Sequence, residues 1–83
     1  MTTDIIEKFI EKKSRKNSCV NIHFKERNKI TGLFIQTNDY SELKAKNFWR
    51  VVPEPKVEEW EKTKDMNLAR IFSGAGFTRL SEQ

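Results

Sequence analysis

Gly32 sits in the middle of the most strand-like stretch of the chain, residues 29–37 (KITGLFIQT). Its neighbours are β-branched, aliphatic and aromatic, the types that fit a pleated surface. A lone glycine inside such a run gives up side-chain packing, so it marks a sharp bend or a close approach of another backbone. Small, highly curved barrels need such a bend.

The flanking segments supply more strands. Residues 19–25 alternate, with Val20, Ile22 and Phe24 on one face and Asn21, His23 and Lys25 on the other, the period of a half-buried strand. Glu26-Arg27-Asn28 reads as a polar hairpin turn in which Asn28 can take a positive φ. Residues 38–42 (NDYSE) read as a second polar turn. A third strand is expected over 43–52 (LKAKNFWRVV), stopped by Pro53 and Pro55. Pro55 and the acidic residues after it open a short helix, with Val57 and Trp60 at helical spacing. Trp60 is the expected anchor of that helix. Residues 68–73 (LARIFS) and 77–80 (FTRL) follow as two strands joined by Gly74-Ala75-Gly76. Ahead of all this, Ile5, Ile6, Phe9 and Ile10 form one apolar stripe. It predicts a helix over 4–14, with Asp4 and Glu7 in its positive first turn.

The chain has 83 residues, of which 36% are apolar and 34% charged. One domain spanning 1–83 with a thin core follows, and oligomerisation is a common aid to so small a core. Nine aromatic rings argue against disorder. The longest strictly apolar run is Leu33-Phe34-Ile35, whereas a membrane-spanning helix needs about 20 residues. No membrane association is expected. The first residues, MTTDIIEKF, show no basic head followed by a long apolar stretch. Cys19 is the one cysteine, so no internal disulfide forms; it reads as a small buried hydrophobe. These features make the cytoplasm the expected compartment. With one histidine, His23, and one cysteine, no zinc site and no other cofactor are expected.

Charge is uneven. Residues 1–52 carry eleven Lys/Arg against six Asp/Glu, whereas residues 53–83 carry five against six. A basic first portion is compatible with contacts to a nucleic-acid backbone, and also with an ordinary solvated surface.

The segment 20–43, VNIHFKERNKITGLFIQTNDYSEL, resembles the first motif of the Sm-like (Sm and Lsm) family: strand, tight polar turn, strand with a central glycine, polar turn carrying an aromatic. FKERNKITG stands where the family has a pattern like LKDGREITG. The segment 68–80, LARIFSGAGFTRL, resembles the second motif, with Gly74 on its glycine and Ser73 in place of its arginine. The resemblance implies a mainly all-β fold: a five-stranded, strongly bent antiparallel barrel over 19–80 with an N-terminal helix. A helical insert over 53–66 precedes the fourth strand. It also implies a homo-oligomeric ring in which 68–73 of one subunit pairs with 77–80 of the next.

The family's partner is single-stranded RNA, with bases stacked on the turn aromatic near the pore. Carried over position by position, this implicates Asn38, Tyr40, Glu42, Ser73 and Gly74. Glu42 and Ser73 depart from the family, placing a carboxylate and removing a cation. Lys25, Arg27 and Lys29 cluster in the first turn and offer a second, basic route to RNA, or a charged edge that discourages aggregation. A non-catalytic protein-interaction module with no nucleic-acid role is the alternative. A double-stranded-RNA-binding domain has a similar element order, but Glu58, Glu59 and Glu61 would repel phosphate where that fold places lysines. No catalytic triad or phosphate-binding glycine loop is recognisable, so no enzyme is expected.

Overall fold

The structure is a computed structural model and describes residues 1–12 and 19–82. Helix α1 spans Thr3–Lys12. The strands are β1 (Val20–Phe24), β2 (Ile30–Phe34), β3 (Phe48–Pro53), β4 (Arg70–Ser73) and β5 (Phe77–Glu82). Helix α2 (Tyr40–Ala45) lies between β2 and β3, and α3 (Glu54–Thr63) between β3 and β4. Single 3-10 turns cover Met66–Leu68 and Gly74–Gly76. The last two positions of the helix expected over 4–14 lie outside the described residues.

All five strands form one antiparallel sheet in the order β4-β3-β2-β1-β5. Its inner face carries Ile22, Trp49, Val51, Phe77 and Leu80, closed over by Ile6 of α1. Phe24 of β1 and Phe72 of β4 meet across this interior, their ring centroids 5.7 Å apart. On the outer face, Val57 and Trp60 seat α3 on Leu33, Ile35 and Val52. Trp60 thus anchors the helix as its spacing indicates. Half-buried Cys19 packs against the same cluster.

Gly32 explains part of the curvature. A Cβ there would come within 2.6 Å of Val51 Cγ1 and 2.7 Å of the Val52 carbonyl oxygen. The absent side chain is what lets β2 and β3 approach, as the strand glycine predicts. Gly74 is equally crowded: a Cβ would run into the Asn47 amide and Ile6.

Three expectations are corrected. The strand expected over 43–52 begins only at Phe48. Residues 40–45 are helical instead: Tyr40 and Lys44, at i and i+4, lean together on α1 and β3 through Glu11, Glu7 and Trp49. Asn47, at φ 61°, then redirects the chain into β3. Asn28, in the first turn, does not take a positive φ; Asn47 and Lys64 are the non-glycine residues that do among those described. Finally, helix takes up as many residues as strand, so the content is mixed rather than mainly β. None of the described helices is long and apolar enough to cross a membrane.

Candidate nucleic-acid interface

Asn47 is a hydrogen-bonding hub beside Gly74. Its side chain accepts from Trp49 Nε1 at 2.8 Å and donates to the Met1 carbonyl at 2.9 Å. Its own carbonyl receives the Gly74 N–H at 2.8 Å. The Met1 amino group closes the corner by donating to the carbonyls of Gly74 and Phe77. Gly74 is therefore buried inside a hydrogen-bonded corner, while the Ser73 hydroxyl accepts from the Ala75 N–H.

Tyr40 lies near this corner, edge-on to Trp49 with 6.1 Å between ring centroids. Lys44 sits over its ring at 5.2 Å, and its hydroxyl reaches Glu11 at 3.5 Å. Burial, then the Glu11 charge, pushes the Tyr40 hydroxyl above its usual titration range. Tyr40 thus already has partners on its edge, its face and its hydroxyl, and it ties α2 to α1. Lys44 completes that tie through an ion pair with Glu7 at 2.5 Å. Asn38 and Glu42 are exposed beside it. Asp39, between Asn38 and Tyr40, receives both guanidinium nitrogens of Arg50 and the Thr37 hydroxyl. Those contacts hold its carboxyl below the usual carboxylate range, the Thr37 hydrogen bond most of all. Arg50 is committed to this pairing.

The basic turn lies at the opposite end of β2. Lys25, Arg27 and Lys29 are all exposed. Arg27 lies over two rings of the interior, 5.3 Å from Phe24 and 5.8 Å from Phe72. Beyond Phe72 the curled sheet opens into a groove of about 530 Å³. Ile30, Pro53, Leu68 and Phe72 give it apolar surface, and Lys56, Asn67 and Arg70 give it polar groups. Sequence reading missed these last three because no motif joins them; the curl of the sheet does. His23, on the outer face of β1, lies 3.3 Å from Arg79.

The two clusters differ in what they leave available. The Tyr40 corner is a packed junction of α1, α2 and β3. The Arg27 end is an open, cationic rim around an apolar mouth. No family model, curated protein or solved structure matches this chain.

Proposed function

We propose that the chain is a non-catalytic, Sm-like subunit that assembles through its strand edges and holds single-stranded RNA by the basic turn Lys25–Lys29 rather than by the Tyr40 corner. The observation that carries the reading is Arg27, an exposed guanidinium set over Phe24 and Phe72 at the open end of a curled five-stranded sheet. Cations on such a rim displace counterions from a phosphate backbone, which is the main source of sequence-independent affinity. Half-buried rings at an open end, with a guanidinium plane over them, suit unstacked bases.

Assembly follows from the edges. Among the described residues β4 pairs only with β3, and β5 only with β1. Each leaves one edge of backbone donors and acceptors, and cyclic pairing of β4 with a neighbour's β5 would satisfy both without open-ended growth. Ile71, 50% exposed on β4, suits such a junction better than it suits water.

A second reading, a protein-interaction module without RNA, draws on a different feature. Phe48 and Ile71 are both exposed on the outer face of β3 and β4. Filter binding of oligo-U and mixed RNA at two salt concentrations separates the two readings. Salt-sensitive retention at micromolar protein supports the first, and none at either salt supports the second.

A further inference from the structure

We propose that the groove at the mouth of the sheet seats one nucleotide of a single-stranded nucleic acid, with the base against Phe72 and the flanking phosphates on Arg70 and Lys56. This deepens the RNA reading and rests on it for the identity of the longer ligand. The two motifs that carry the Sm-like resemblance supply only part of the groove, namely Ile30, Leu68, Arg70 and Phe72. Its outer wall comes from segment 53–68: Pro55 and Lys56 open α3, and Asn67 and Leu68 lie in the 3-10 turn that follows.

The shape fits the ligand. About 530 Å³ falls inside the range of small-molecule sites, and the groove is open to solvent, as a unit within a longer chain requires. The chemistry fits as well. A base offers flat faces; Phe72 offers an aromatic ring, and Pro53 and Pro55 offer apolar ring surfaces, to meet them. The Asn67 side-chain amide supplies one donor group and one acceptor for a base edge. Lys56 and Arg70 come from separate elements, α3 and β4, and among the described residues neither is in an ion pair. Asp65, at the start of the 3-10 turn, accepts the Asn67 N–H at 2.9 Å, whereas Glu54, Glu58 and Glu59 share the helix of Lys56 and oppose phosphate there. Arg27, poised over Phe72, adds a third cation at the lip. An acidic peptide would satisfy the charges but leave the ring surfaces without planar partners. A duplex would satisfy the charges without presenting a free base.

The test is a heteronuclear NMR titration of the whole chain with uridine 5′-monophosphate and adenosine 5′-monophosphate. Uridine, inorganic phosphate and a short acidic peptide form the comparison arms. The expected result is saturable shifts at the amides of Leu68, Arg70 and Phe72, larger with a nucleotide than with phosphate alone. A Lys56→Gln/Arg70→Gln double variant should weaken nucleotide binding about tenfold and reduce the magnitude of the log–log salt slope for a single-stranded oligoribonucleotide by about 1.4. Lys46→Gln, just past the end of α2, should leave both unchanged. Equal shifts from phosphate and nucleotide, unchanged affinity in the double variant, or binding of the peptide but not the nucleotide would each overturn the proposal. If nucleotides bind here but oligoribonucleotides do not bind the chain, the RNA reading fails and the groove assignment stands. If oligoribonucleotides shift only the Lys25–Lys29 amides, the groove assignment fails and the RNA reading stands.

Discussion

The rings of Phe24 and Phe72 lie 5.7 Å apart, although their strands are separated in the sheet by both β2 and β3. In a flat sheet three strand spacings would hold them about 14 Å apart. The sheet is therefore curled tightly enough for β4 to fold back over β1. That curl gathers the inner face into one core and leaves a mouth beside Phe72.

Gly32 is the residue that allows the curl, so Gly32→Ala should destabilise the fold by about 1–3 kcal/mol, the usual cost of overpacking. Gly76 has open space where a Cβ would go. Gly76→Ala should change stability by no more than about 0.5 kcal/mol. Urea unfolding of the two variants gives the comparison, and equal midpoints would mean that the β2–β3 approach does not limit the fold.

Asn47 combines a positive φ with the acceptor for Trp49 Nε1. Asn47→Ala loses that acceptor and places a Cβ-bearing residue without a compensating side chain in the left-handed region. It should cost about 2 kcal/mol. Asn47→Gly loses the same hydrogen bonds but tolerates the φ, and should be less costly than Asn47→Ala by about 1 kcal/mol. Thermal or urea unfolding of both variants checks the order.

The α1–α2 junction should give the protein two pH edges. Glu7 is held below its ordinary 4.5 by the Lys44 hydrogen bond, and Asp39 below 3.8 by Thr37 and then Arg50. A lowered carboxylate contributes stability above its ordinary value and loses it as pH falls through the lowered one. At the alkaline end, Lys44 is raised above 10.5 by Glu7, and Tyr40 above 10.0 by burial and then Glu11. Raised groups contribute stability below their ordinary values and lose it as pH rises. Urea midpoints measured across acid and alkaline pH should fall at both ends. Glu7→Gln should flatten both limbs, because it removes the partner of Lys44, whereas Asp39→Asn should flatten only the acid one.

Ile71 tests the assembly. Ile71→Lys should leave the fold within about 0.5 kcal/mol, as an exposed substitution, yet reduce the mass seen by light scattering to that of one chain. An unchanged oligomer would place the contact elsewhere, and a monomeric parent chain would remove the edge-pairing reading altogether.

Much of this architecture is written in short-range pattern. The alternation of Val20, Ile22 and Phe24 marks β1, Pro55 with Trp60 marks α3, and Gly32 marks the crowded crossing of β2 and β3. Helix α2 escaped because it is six residues long, buries no residue fully, and its Leu43 and Ala45 also fit a strand's alternation. The shift in register between His23 and Phe24, where β1 meets β5, leaves no local signal either. The site divides the same way. Lys25, Arg27 and Lys29 are neighbours in sequence and read as a cluster. Lys56, Asn67 and Arg70 become neighbours only after the sheet curls, and the packing of Tyr40 into the α1–α2 junction depends on Glu11 and Lys44, which no motif connects.

Both the proposed assembly and the proposed nucleotide site depend on β4 lying over β1. A NOESY spectrum of protein with labelled phenylalanine rings tests this directly. The account predicts a cross-peak between the Phe24 and Phe72 ring protons, alongside one between Phe24 and Phe77, whose centroids are 5.3 Å apart. A Phe24–Phe77 cross-peak with none between Phe24 and Phe72 would show β1 paired to β5 but β4 splayed away, and would contradict the curled sheet.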